Sequence, residues 1–127
     1  MDNELVMDIG NSRTKLGLFG NGHLLRSAAI ATGDTSALRA WLNGAAVLRT
    51  AVGSVGAEGG WEAELRTIAP LIVLRADGPS PLKSDYTTPN SLGIDRLANA
   101  VAACDRFPGR STLAIDLGSC ITYDVVS

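Results

Sequence analysis

The stretch Leu5-Val-Met-Asp-Ile-Gly-Asn-Ser-Arg-Thr-Lys-Leu-Gly-Leu-Phe19 decides the fold. An apolar run ends in Asp8, a glycine turn follows at Gly10, and an alternating run leaves it, with Leu16 and Leu18 opposite Lys15, Gly17 and Phe19. A continuous apolar run beside a period-two run reads as a buried strand followed by a half-exposed one. Far along the chain the device returns as Leu113-Ala-Ile-Asp-Leu-Gly-Ser-Cys-Ile-Thr-Tyr-Asp-Val-Val126. Asp8-Ile9-Gly10-Asn11 lines up with Asp116-Leu117-Gly118-Ser119, so one strand–turn–strand unit occurs twice, each time with an acid and a glycine turn at the mouth of a strand.

Outward from the first copy, Asn21-Gly22 is a two-residue hairpin signal and predicts a third antiparallel strand over His23 to Ala31. Thr32-Gly33-Asp34 breaks the chain, and Asp34 is placed to cap a helix over Thr35 to Asn43 that Gly44 stops. A strand is expected from Ala45 to Val52, then a turn rich in glycine (Gly53 to Gly60), a helix from Trp61 to Ala69 and a short strand from Leu71 to Leu74. Arg75 to Ser91 holds three prolines and reads as a loop, with Ser91 the expected N-cap of a helix running to about Arg106. Strands over Thr112 to Leu117 and Ile121 to Val126 close the chain.

Three antiparallel strands followed by helix–strand–helix–strand predict an α/β, ribonuclease-H-like domain with a mixed five-stranded sheet. The closing hairpin reads as the first hairpin of a second such domain. The expected division is therefore residues 1–110 and 111–127. A repeat that stops after two strands leaves edges unpaired, so the chain is expected to be a piece of a longer protein.

The 127 residues carry 19% charged side chains and a net charge of −2 with no basic run, which argues against nucleic acid as a partner. No apolar stretch approaches the roughly 20 residues of a membrane span. The acidic start Met1-Asp2-Asn3-Glu4 is unlike a secretory signal, so a cytoplasmic location is expected. Cys104, Cys120 and the single His23 lack metal-site spacing, and the two cysteines are expected as buried free thiols.

In the first turn, Gly10 admits close approach of a ligand, and Asn11, Ser12 and Thr14 add donors beside exposed backbone N–H groups, a pattern that suits phosphate. Lys15 can add positive charge. Asp8 would repel phosphate, so it either caps its turn or holds a cation. Neither a Walker-type nor a dinucleotide glycine motif is present. Asp95 and Arg96 fall in the first turn of the third helix. The helix dipole accounts for the acid there but not for the arginine, which calls for an acidic partner, either a neighbouring carboxylate or that of a substrate.

Asp8-Ile-Gly-Asn-Ser12, Tyr86…Pro89…Gly93-Ile-Asp-Arg-Leu-Ala-Asn99 and Asp116-Leu-Gly-Ser-Cys-Ile-Thr122, in this order, closely resemble the type III pantothenate kinases of the sugar kinase, Hsp70 and actin superfamily. The resemblance implies transfer of the ATP γ-phosphate to pantothenate, with Mg2+ and a monovalent cation, potassium or ammonium. It implies that Asp8, Ile9, Gly10, Asn11, Ser12, Arg13, Thr14 and Lys15 form a first phosphate loop and that Ser119 contacts ATP from a second. Asp95 would be the base, Tyr86, Gly93, Ile94, Asp95 and Arg96 would line the pantothenate site, and Asp116 would hold the monovalent cation. A homodimer is implied for the full-length protein. Where the family has Gly-Thr-Ala-Thr-Thr this chain has Gly118-Ser-Cys-Ile-Thr122, and family members are about twice as long. The isolated chain is therefore expected to be inactive. A nucleotide-binding regulatory module of the same fold is the alternative, and an actin-like filament protein would have no use for Gly93-Ile-Asp-Arg96.

Overall fold

The computed structural model describes residues 2–54, 61–88, 91–118 and 120–127. They fall into two compact units, Met1–Leu74 and Arg75–Ser127.

In the first unit β1 (Asn3–Ile9) lies at the centre of a five-stranded sheet. β2 (Arg13–Gly20) and β3 (His23–Ala31) extend it on one side as an antiparallel meander. β4 (Val47–Ser54) and β5 (Leu71–Leu74) extend it on the other side in parallel, giving the order β3-β2-β1-β4-β5. α1 (Thr35–Leu42) joins β3 to β4 and α2 (Trp61–Ile68) lies between β4 and β5. This is the mixed sheet with helical crossovers expected of a ribonuclease-H-like domain. Asn21 and Gly22 both take positive φ, 52° and 76°, which is what a two-residue hairpin of the type I′ class requires.

Alternation along β1 settles what faces the core. Leu5, Met7 and Ile9 are buried, and their partners across β2 are Leu18, Leu16 and Thr14. Leu38 and Leu42 of α1 and Trp61 and Leu65 of α2 join the same cluster. Glu4, Val6 and Asp8 take the opposite face, where Glu4 pairs with Arg49 of β4. The Asp34 carboxylate accepts a hydrogen bond from Ala37 N at 3.0 Å, capping α1 as expected, and Asn43 closes the helix in the left-handed conformation. Arg26 of β3 donates to the carbonyl of Leu42 at 2.9 Å and lies 4.8 Å from the centre of the Trp41 ring, so one cation serves both the helix C-terminus and the aromatic face.

In the second unit α3 (Ile94–Arg106) packs against the hairpin of β6 (Thr112–Leu117) and β7 (Ile121–Val126). Ala114, Asp116, Thr122 and Asp124 share the half-buried face of that hairpin, while Leu113, Ile115, Leu117, Ile121, Tyr123 and Val125 on the other are exposed.

Two expectations are corrected. Ser91 is not the cap of α3: its hydroxyl turns back to the carbonyl of Thr88 at 2.8 Å, and Gly93, in extended conformation and without a side chain, takes the N-cap position. Neither cysteine is buried as expected: Cys120 is exposed, because it lies in the β6–β7 turn instead of on a packed strand, and Cys104 on α3 is only half-buried; both thiols are free. The glycine turn from residue 55 to 60, with Pro89, Asn90 and Ser119, lies outside the described residues.

Candidate functional site

The turn between β1 and β2 is held from three directions. Gly10 N donates to Arg13 O at 3.0 Å, which closes the turn on itself. Thr32 N, just past β3, donates to Ser12 O at 3.0 Å, and the Thr32 hydroxyl donates to Gly10 O at 2.9 Å. The buried Thr14 hydroxyl stands 2.9 Å from that of Thr32. Because Thr32 spends its one hydrogen on Gly10, Thr14 is the donor in this pair, and the chain of hydrogen bonds runs Thr14 to Thr32 to Gly10. Thr32 is therefore a loop-supporting residue that sequence reasoning missed. Its one signal was a hydroxyl directly after the third strand.

This bracing leaves the tip of the turn open. Asn11 and Ser12 are exposed, and their backbone N–H groups make no main-chain hydrogen bond among the described residues. Adjacent N–H groups on a rigid turn are what an anionic phosphate oxygen needs. Lys15 lies exposed directly opposite Asp8 across the two strands, so an ammonium and a carboxylate share one face of the sheet. Ile9 is a core residue, and its contribution to the site is the strand end that sets up the turn. The Arg13 guanidinium is turned along the sheet to the carbonyl of Ala29, 3.1 Å away. Gly10 is required sterically: a Cβ there would stand 2.7 Å from Arg13 O. At Gly118, in the second copy, the nearest atom would be Cys120 O at 3.8 Å. Gly10→Ala is expected to destabilise the protein by about 1–3 kcal/mol and to weaken nucleotide binding, with Gly118→Ala close to neutral in stability. Thermal melts and nucleotide titration of the two variants check this.

The two copies of the device are not identical. Ile9 pairs with Thr14 across four intervening residues, whereas Leu117 pairs with Ile121 across three. The partner of Asp8 is Lys15, while the partner of Asp116 is Thr122. Asp116 forms no ion pair among the described residues, and the Thr122 hydroxyl oxygen is buried without a hydrogen-bond partner. An uncompensated carboxylate opposite an orphaned hydroxyl oxygen fits an oxygen-preferring cation. No cluster of three or more His, Cys, Asp or Glu side chains suited to a metal occurs among the described residues.

At the start of α3, Asp95 lies in the first helical turn, half-buried, with no hydrogen bond or ion pair among the described residues. Arg96, beside it, is held through Nε and Nη2. Its Nε donates to Asp124 Oδ2 at 3.1 Å and its Nη2 to Asp124 Oδ1 at 2.7 Å, and its guanidinium carbon lies 5.4 Å from the centre of the Tyr86 ring. The hydrogen bond that Arg96 donates to Asp124, reinforced by the carboxylate's charge, holds the Arg96 pKa above its ordinary value. Of the two acidic partners Arg96 could have, the neighbouring carboxylate is present, and it is Asp124. A cavity of about 380 Å3 opens here, lined by Tyr86, Arg96, Asp124, Lys83 and Asp85 among others. Its size is within the range of small-molecule sites. It gathers Tyr86 and Arg96 as expected. Gly93, Ile94 and Asp95 do not line it but form the adjoining start of the helix.

Comparisons with known proteins identify the family. The sequence profile of the type III pantothenate kinases matches residues 4–127. The chain belongs to the type III pantothenate kinase family. It is 36% identical to a type III pantothenate kinase of Bacteroides fragilis over 96% of this chain and 51% of that one. It is 33% identical to one from Christiangramia forsetii over 95% of this chain and 51% of that one. The chain thus spans about half the length of the curated relatives it matches. The crystal structure of a Sinorhizobium meliloti protein described as a "putative 2-dehydro-3-deoxygalactonokinase" superposes with a TM-score of 0.57 at 18% identity, covering 98% of this chain and 49% of that one. That likeness supports the fold, a ribonuclease-H-like α/β domain of the actin-like ATPase class.

Proposed function

We propose that the complete protein transfers the γ-phosphate of ATP to pantothenate, giving 4′-phosphopantothenate and ADP, the first step towards coenzyme A. The observation that carries this is the contrast at the start of α3: Arg96 is clamped and Asp95 beside it is uncommitted, within a family of pantothenate kinases. Asp95 takes the proton of the pantothenate hydroxyl as that oxygen attacks the γ-phosphorus. ADP leaves from the opposite side, in line. The braced turn from Asp8 to Lys15 binds the phosphates, with Ser119 contributing from the second loop. Tyr86 and Arg96 bind the carboxylate end of pantothenate in the cavity, and Gly93 and Ile94 shape the approach to Asp95.

Asp116, with the unpartnered Thr122 hydroxyl across the hairpin, would hold a monovalent cation, potassium or ammonium. That ion, and the Mg2+ travelling with ATP, would supply neutralisation of phosphate charge. Residues 1–110 and 111–127 belong to successive domains of the whole protein, although in this chain α3 packs with the closing hairpin. We place the full-length enzyme in the cytoplasm as a homodimer, without nucleic-acid or membrane partners; no helix among the described residues is long and apolar enough to cross a membrane.

The test is coupled ADP release with pantothenate, Mg-ATP and potassium, on these 127 residues beside the protein at the full length of its relatives. Turnover by the long form alone, dependent on pantothenate, is the expected result. If neither form turns over although ATP binds, the kinase reading gives way to a regulatory nucleotide-binding module.

A further inference from the structure

Asp124 has no role in the chemistry described so far, yet it is a charged residue on an otherwise largely apolar strand, Ile-Thr-Tyr-Asp-Val-Val, facing inward. Carboxylates in such positions are retained only where something pairs with them. Here the pairing is a two-point fork: both carboxylate oxygens are engaged, on Nε and Nη2 of Arg96. The second Nη2 hydrogen points to the carbonyl of Tyr123, 3.5 Å away, and the Tyr86 ring covers one face of the guanidinium. Nη1 makes no hydrogen bond among the described residues, and Arg96 borders the cavity.

We propose that Asp124 is a positioning residue for substrate selection: it locks Arg96 through Nε and Nη2, so that Nη1 and one guanidinium face are presented to the carboxylate of the substrate. This rests on the pantothenate reading of the cavity and adds to it a residue outside the motif that first identified the site. A guanidinium held on two sides loses little rotamer freedom when a ligand arrives, which is how pre-organisation raises affinity. A clamped arginine also has a narrow acceptance. With its side-on fork filled, it meets a ligand carboxylate through Nη1, and a substrate ending in an amide or alcohol forgoes the charge-assisted part of that contact. The cavity is thereby matched to small carboxylic acids rather than to their neutral analogues.

The experiment is steady-state kinetics on the full-length protein with Asp124→Ala, Asp124→Asn, Arg96→Ala and the Asp124→Ala/Arg96→Ala pair. Loss of a charge-assisted clamp should raise KM for pantothenate about tenfold or more in Asp124→Ala. The change should fall on KM for pantothenate rather than on kcat or KM for ATP, with Asp124→Asn, which keeps one acceptor, in between. In the Arg96→Ala background the further effect of Asp124→Ala should vanish, because the residue acts only through the guanidinium. If Asp124→Ala fails to fold, Asp124→Asn with and without Arg96→Ala carries the same comparison. An unchanged KM overturns the role, as does a lowered one, which would make Asp124 a competitor for Arg96. An effect of equal size without Arg96 also overturns it. An active wild type whose KM ignores Asp124 refutes this role alone, whereas a full-length wild type that releases no ADP with pantothenate overturns the proposed function and this role together.

Discussion

Asp95→Asn in the full-length protein is expected to lower kcat by about 10²–10⁴-fold, the usual worth of a positioned general base. The substitution keeps the shape of the side chain and removes only its capacity to take a proton. Asp95 makes no hydrogen bond or ion pair among the described residues, so the change breaks no structural contact there. The cost to the fold is the loss of one negative charge near the N-terminus of α3, about 0.3–1 kcal/mol. The melting temperature should thus move by only a few degrees, and KM for pantothenate should stay near its wild-type value, since the carboxylate end of the substrate is held at Arg96. A variant retaining more than about a tenth of the wild-type kcat would show that the hydroxyl proton leaves by another route, because that loss is below the worth of a general base. Arg96→Ala should behave the other way, with the larger change in KM, and the pair of results separates proton transfer from binding.

What the sequence made legible was whatever local chemistry dictates. β3, β5, β6 and β7 begin and end where their turn signals put them, because Asn21-Gly22, Pro70 and the Gly118 turn leave little choice. The mixed five-stranded sheet followed from three antiparallel strands and two helix–strand units, whereas its order, β3-β2-β1-β4-β5, is a finding of the structure. Ser91 misled because a hydroxyl near a helix start has two possible partners. The nearby carbonyl of Thr88 won, leaving Gly93 at the cap. The partner of Arg96 was only half legible. An arginine at a helix N-terminus asks for an acid, and Asp124, an acid on an apolar strand, asks for a cation, yet 28 residues separate them. Only the packing of α3 on the hairpin matches one demand to the other. The difference between the two turns, four residues against three, was hidden for a related reason: both begin with the same four-residue pattern, and their lengths are set by where the second strand pairs.

Leu5→Ala is expected to destabilise the protein by about 2–5 kcal/mol, the range for truncating a fully buried leucine. Leu5 has no exposed surface and lies on the central strand, between Leu18 of β2 and Thr50 of β4. Neighbouring strands on both sides prevent the backbone from collapsing into the space left behind. Total stability for a chain of this kind is about 5–15 kcal/mol, so the loss is a large share of the whole. Thermal or urea unfolding should show a midpoint lowered well beyond that of any surface variant. Val6→Ala, one residue along, is the informative control. Val6 is 38% exposed on the opposite face, and its truncation should cost only about 0.5–1 kcal/mol. Strand faces alternate with a period of two, so the same register that buries Leu5 puts Asp8 and Lys15 together on the outer face and leads the chain into Gly10. A larger cost at Val6 than at Leu5 would mean the register of β1 is wrong by one residue. The placement of the whole first phosphate loop would then be wrong with it. A large difference in the expected direction supports both from a measurement that involves no ligand.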